Sequence, residues 1–132
     1  MKGIDTNILV RFLVGDDENQ AKKVYVIFKK AEAEKKELFV PVLVVLELIW
    51  VLESAYGIAR PEILDSISSL LLMPIFKFEN LKTLQGFISS ANKNTFDLSD
   101  LLIAHSANTC NCETVLTFDK KASKYKLFEL VK

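Results

Sequence analysis

Four acids stand at conspicuous places in this chain. Asp5 closes the opening run Met-Lys-Gly-Ile, which reads as a short buried strand, and Asp119 closes Thr-Val-Leu-Thr-Phe in the same way. Asp100 falls in the first turn of a helix within Phe-Asp-Leu-Ser-Asp-Leu-Leu-Ile-Ala-His-Ser-Ala, and Glu47 is the lone charge in Val-Leu-Val-Val-Leu-Glu-Leu-Ile-Trp-Val-Leu. In open α/β folds ligands bind outside the carboxyl ends of the strands, so Asp5, with Thr6 and Asn7 beside it, and Asp119 mark a candidate site. Carboxylates crowded there repel one another unless a cation joins them. Oxygen-only donors suit Mg²⁺ or Mn²⁺, and no His or Cys cluster completes a zinc site. A carboxylate-bound ion with open water positions points to phosphate chemistry.

Each acid also has a structural explanation. Asp, Thr and Asn are good helix N-caps, and caps are commoner than catalytic acids. Asp97 and Asp100 have the spacing of a capping box, which accounts for Asp97 fully. The positive end of the helix dipole should help to keep Asp100 ionised, and Ile103, Ala104 and Ala107 share its face. A helix apolar on nearly every side is a buried one, so Glu47 should face a polar partner, a cleft or a cation. His105 points away from Asp100, and with no nucleophile signal nearby it reads as structural.

The elements that must position these acids alternate between strand and helix. Asp16 is expected to cap a long helix to about Lys36, with Val24, Ile27, Phe28 and Ala31 on one face. Leu38 to Val40 reads as a strand, and Pro41 then suits the first turn of a helix to about Tyr56, ended by Gly57. Pro61 starts a helix with Ile63, Ile67, Leu70 and Leu71 in register, closed by Pro74. Ile75 to Phe78 is a third strand, and Leu81, Leu84, Ile88 and Ala91 mark the next helix, before the polar turn Asn92 to Thr95. Thr114 to Phe118 and Leu127 to Val131 are the last strands, separated by a Lys-rich turn or short helix. Strands alternating with helices predict a parallel sheet covered on both faces.

The 132 residues fit one domain, half of them hydrophobic, and no linker or repeat divides them. Seventeen basic residues balance seventeen acidic ones, so the net charge does not advertise a polyanion partner. Any nucleic-acid binding must come from a local patch or a metal. Cys110 and Cys112 are expected to be reduced thiols. With no basic-then-apolar leader, and its longest uncharged apolar run, Leu38 to Leu46, far short of the ~20 residues that span a bilayer, the protein is expected to be soluble and cytoplasmic.

Gly-Ile-Asp-Thr-Asn-Ile-Leu-Val at the start, Glu47 in its apolar helix, Ser-Asp-Leu-Leu-Ile-Ala-His-Ser-Ala, and Val-Leu-Thr-Phe-Asp-Lys-Lys near the end together resemble the PIN domain. Their order and spacing are most similar to the small stand-alone ribonuclease toxins of VapC type. No single motif is specific, but four in order within one domain are. The resemblance implies a single PIN-like domain over residues 1–132, a three-layer α/β/α sandwich with a central, mostly parallel sheet. It also implies a metal-dependent endoribonuclease whose acidic pocket binds Mg²⁺ or Mn²⁺. By position Asp5, Glu47, Asp100 and Asp119 are the acidic quartet, with Thr6, Asn7 and Thr117 as polar neighbours. The fourth acid varies more in this family, and Asp97 is the alternative to Asp119. A small antitoxin partner and a homodimer are implied as well.

Lys120, Lys121, Lys124 and Lys126 follow Asp119 and could grip an RNA backbone, whose binding is dominated by phosphate contacts; their other reading is a solvated turn. An aspartate-nucleophile phosphohydrolase also begins with an Asp after its first strand, but needs a second acid two residues on, where this chain has Asn7. Two further readings are a PIN-like RNA-processing nuclease outside a toxin system and a catalytically inactive binding module; a nuclease assay with and without Mg²⁺ separates the last from an enzyme.

Overall fold

A computed structural model describes residues 1–132 as two compact units, Met1–Glu79 and Asn80–Lys132. The first unit carries a three-stranded parallel sheet in the order β1 (Lys2–Gly3), β2 (Leu38–Val40), β3 (Phe76–Phe78). Lys2 pairs with Leu38, and Leu38 in turn with Phe76, all in parallel register. The connections between these strands are helical, as parallel pairing requires. Helices α1 (Thr6–Leu13) and α2 (Glu18–Glu34) join β1 to β2, and α3 (Val42–Ser54) and α4 (Arg60–Leu71) join β2 to β3.

Helix α1 packs on both α2 and α3, so its apolar stripe disappears among them, with Leu9 and Val10 buried. Leu48, Ile49 and Leu52 of α3 and Ile63, Ile67 and Leu70 of α4 complete the core, each worth about 1.5–3 kcal/mol of burial. Phe28 stands edge-on to Phe12 at 5.0 Å and to Phe76 at 5.2 Å, the arrangement that aromatic quadrupoles favour.

The residue capping α2 is Asp17, whose Oδ1 accepts the Gln20 N–H at 3.0 Å, rather than Asp16. Asp16 is drawn off by Arg11, which donates from Nη1 to its Oδ1 at 2.9 Å, and by Tyr56, whose hydroxyl donates to its Oδ2 at 2.9 Å. That cluster ties the end of α1 to the end of α3. Within α2, Val24, Phe28 and Ala31 are buried as expected, but Ile27 remains exposed. Gly15 and Gly57 end their helices with φ of 67° and 61°, a left-handed backbone that glycine adopts without strain.

Helix α3 departs furthest from expectation. Pro41 precedes it without a side-chain cap, and the Val42 N–H is instead accepted by Glu79 Oε1 at 2.8 Å. Only one side of α3 is buried: Leu43 is 73% exposed and Trp50 61%, with Glu47, also exposed, on the stripe between them.

In the second unit α5 (Leu81–Ala91) lies against α6 (Leu98–Thr109), with Leu84, Phe87, Leu98 and Leu101 at the contact level of the core. A parallel pair follows, β4 (Val115–Thr117) with β5 (Phe128–Leu130), in which Val115 pairs with Phe128 and Thr117 with Leu130. Their crossover contains no more than a single 3₁₀ turn, Ala122–Lys124. The α/β class and the parallel pairing are as the sequence predicts. No helix is long and apolar enough to cross a membrane.

Candidate active site

Asp5 ends the first strand and begins α1, where its Oδ1 accepts the Thr6 N–H at 2.7 Å. The capping role and the strand-end position therefore coexist in one residue, whose carboxylate is exposed. Next to it, the Thr6 hydroxyl oxygen is buried with no hydrogen-bond partner, a condition that costs about 1–3 kcal/mol. Asn7 is exposed. Glu47 stands in the second turn of α3, the helix that packs on α1, and it is exposed. The expectation that burial forces Glu47 onto a partner is thus corrected, because the apolar sequence of α3 leaves one flank in solvent.

In the second unit, Asp97, Asp100 and Asp119 line one pocket of about 160 Å³, and Lys121 stands with them. The rest of its lining is Ala122 and the aromatic residues Phe96, Tyr125 and Phe128. Asp97 caps α6, its Oδ1 accepting the Asp100 N–H at 2.9 Å. Asp119 is held by the turn that follows it: Oδ1 accepts from Lys121 N at 2.8 Å and Ala122 N at 3.1 Å. Thr117 supports that turn by accepting the Asp119 N–H at 3.0 Å. Asp97 and Asp119 thus each have one oxygen fixed by backbone donors, and Asp100 has none among the bonds described.

The Asp100 carboxyl is pushed above the ordinary range, first by desolvation and then by the charges of Asp97 and Asp119. This corrects the expectation from the helix dipole. The dipole's favourable field is outweighed by partial burial and two neighbouring anions. Of the residues expected to share its face, Ala104 is buried but Ile103 is exposed.

His105 does not line the pocket, and its Nε2 lies 3.1 Å from the Tyr125 hydroxyl. Burial, and to a lesser degree Lys126, lowers its pKa, which favours the neutral ring. The Tyr125 hydroxyl also meets Ser90 Oγ at 2.6 Å. Sequence reading missed Phe96, Tyr125 and Phe128 as pocket residues; their signal was aromatic residues flanking the Asp97 and Asp119 motifs. Lys120 and Lys124 are exposed on the same turn as Lys121, and Cys110 and Cys112 are free.

The pocket lining comes wholly from the second unit, whereas Asp5 and Glu47 belong to the first. No three His, Cys, Asp or Glu side chains are grouped tightly enough to hold a metal ion as they stand. The chemistry of the second-unit donors nonetheless fits a hard divalent cation: the acids offer only oxygen, and the ionised Asp100 is disfavoured first by desolvation and then by the charges of Asp97 and Asp119. Residues 3–127 match the sequence profile of the PIN domain. The chain belongs to the PIN domain family. The chain is also similar to a protein named VapC ribonuclease from Aquifex aeolicus (strain VF5), 27% identical over 124 residues that cover 94% of this chain and 91% of the relative. This PIN domain is therefore matched along nearly its whole length by the family and by that relative.

The cap predicts a separable effect. Asp97→Ser and Asp97→Ala both remove the charge beside Asp100, but only Ala removes the acceptor for the Asp100 N–H. The Ala protein should be less stable than the Ser protein by about 1 kcal/mol in urea unfolding. Equal stabilities would remove the cap from the account of α6.

Proposed function

We propose that this PIN domain is a Mg²⁺- or Mn²⁺-dependent endoribonuclease that hydrolyses RNA phosphodiester bonds and is the toxin of a toxin-antitoxin pair. The observation that carries the reading is the pocket that Asp97, Asp100 and Asp119 line, in a chain whose family membership and VapC-named relative point to phosphodiester chemistry. Asp5, Glu47, Asp100 and Asp119 are the acids that would hold the cation. Asp97 is the alternative to Asp119 as the fourth. When bound, such an ion neutralises the scissile phosphate and lowers the pKa of a coordinated water. Thr6, Asn7 and Thr117 act as polar neighbours, Thr117 by fixing the turn that presents Asp119.

Lys120, Lys121 and Lys124 bind the RNA backbone in this reading. Changing all three to Gln should weaken RNA binding and flatten its salt dependence by up to ~0.7 per lost phosphate contact on a single strand. Unaltered affinity and slope in a filter-binding titration would return the lysines to the role of a solvated turn.

The same proposal includes one domain across residues 1–132, a cytoplasmic location, a homodimer and a small antitoxin that occludes the acids. Leu43 and Trp50, exposed on either side of Glu47 on α3, are the apolar side chains that such a partner would cover. The deciding experiment is cleavage of cellular RNA with and without Mg²⁺, with the cut ends sequenced after brief induction. RNA left intact in both conditions would overturn the enzyme reading in favour of a binding module.

A further inference from the structure

We propose that Glu79, just past the carboxyl end of β3, is a positioning residue for the nuclease: it clamps the turn from β2 into α3 and so sets where Glu47 is presented relative to Asp5. The proposal rests on the nuclease reading and names a residue that acts through one of its acids. All the residues involved lie in the first unit. Pro41 carries no backbone N–H and gives α3 no side-chain cap, so the helix begins with orphaned donors. The Pro41 carbonyl takes the Val44 N–H at 3.0 Å and, at a longer 3.4 Å, the Val45 N–H. The Val42 N–H is left over, and Glu79 Oε1 accepts it at 2.8 Å from another strand. Glu79 also donates its own N–H to the Val40 carbonyl at 3.0 Å, one residue beyond the last paired residue of β3. A single residue therefore holds both neighbours of Pro41, Val40 through its backbone and Val42 through its side chain.

The same strand registers the other acid of this unit. The Phe39 carbonyl accepts the Ile4 N–H at 3.0 Å, which fixes the backbone immediately before Asp5. Asp5 and the start of α3 are thus referred to consecutive residues of β2, Phe39 and Val40. Glu47 stands five residues beyond Val42, about 7.5 Å along the axis at 1.5 Å per residue, so a tilt at the first turn of α3 carries through to its carboxylate. Packing holds the helix from one side only, because Leu43, Glu47 and Trp50 face solvent. The helix dipole favours the negative charge of Glu79 at this terminus as well. Groups that orient a metal ligand from behind in this way tune its affinity without touching the ion.

Glu79→Met keeps the length of the side chain without an acceptor for the Val42 N–H, whereas Glu79→Gln keeps the acceptor. Asp17→Ala removes the N-cap of α2, a helix that carries none of the acids, and is the control for lost capping alone. Mn²⁺ affinity is read by calorimetry on the full chain, RNA cleavage in Mg²⁺, and stability by urea unfolding. Glu79→Met should bind Mn²⁺ about tenfold more weakly and cleave correspondingly less, as when a partner that orients a metal ligand is removed. Glu79→Gln should recover most of the lost affinity, and Asp17→Ala should lose stability while keeping its Mn²⁺ affinity. In a Glu47→Gln background Glu79→Met should weaken Mn²⁺ binding no further, because its effect passes through Glu47. Undiminished Mn²⁺ affinity in Glu79→Met would overturn the positioning role, as would an equal loss with and without the Glu47 carboxylate, or an equal loss in Asp17→Ala. The two readings fail separately. A wild type that cleaves RNA while Glu79→Met matches it in affinity and cleavage overturns the positioning role and leaves the nuclease; a wild type that binds Mn²⁺ but cuts nothing overturns the nuclease, and the Glu47 comparison on Mn²⁺ affinity then decides the positioning role by itself.

Discussion

Asp100→Asn and Asp5→Asn should each lower Mg²⁺-dependent RNA cleavage by about a thousandfold, with far-UV circular dichroism unchanged. The magnitude follows from the several kcal/mol of charge stabilisation that a bound cation contributes to phosphoryl chemistry, at 1.36 kcal/mol per tenfold. Asn preserves the shape of the side chain and its carbonyl acceptor. At Asp5 it can still accept the Thr6 N–H, so the start of α1 survives the substitution. What disappears is the negative charge. Because Asp100 makes no capping bond of its own among those described and Asp97 supplies the acceptor for its N–H, α6 should form equally well in Asp100→Asn. Full activity in both variants would remove the metal from the proposed chemistry, since neither residue would then be needed to hold it.

The helices and strands were legible because their signals are local. Period-three-to-four apolar spacing located α2, α4 and α5, and β-rich runs bounded by polar residues located β2 and β4. Asp5, Asp97 and Asp119 were legible for a related reason: a side chain that caps or turns the adjacent backbone acts within a few residues of itself. What the sequence obscured depends on distant partners. Nothing around Asp16 announces that Arg11 and Tyr56 will draw it away from the cap of α2. Nor does α3 declare which flank is left in water, since an apolar residue reads alike on either side; the inference that Glu47 is buried fails for that reason.

Asp100 failed differently. Its position in the first turn was read correctly, but the sign of its perturbation depends on partial burial and on Asp119, nineteen positions away along the chain and beside it in the pocket. The aromatic lining was equally hidden, because Tyr125 is fixed by Ser90 and His105, and each of the three residues taken alone is unremarkable in its own element. Strand ends and caps can be read locally; the electrostatics of a pocket cannot.

Melting curves offer a test of the acids that requires no knowledge of the RNA. A cation that binds the folded chain and not the unfolded one stabilises it by mass action, about 2.7 kcal/mol at a hundred times its dissociation constant. For a chain of this size that corresponds to a rise in Tm on the order of 10 °C. In the metal-free protein, folding raises the Asp100 pKa, so the folded state holds that proton more tightly than the unfolded one. Its contribution is therefore a penalty that grows as pH rises from the ordinary carboxylate value through the folded one. Stability should correspondingly recover on acidification through that window. Asp100→Asn lacks the penalty at every pH, and in chelator at neutral pH it should melt at or above the wild type. Excess Mn²⁺ should then raise the wild type far more than the variant. If Asp100 were only a favourable first-turn charge, the order would invert: Asp100→Asn would melt slightly lower, and neither protein would respond to metal. Equal Mn²⁺ shifts in the two proteins would show that Asp100 holds no cation, whatever the pocket around it does.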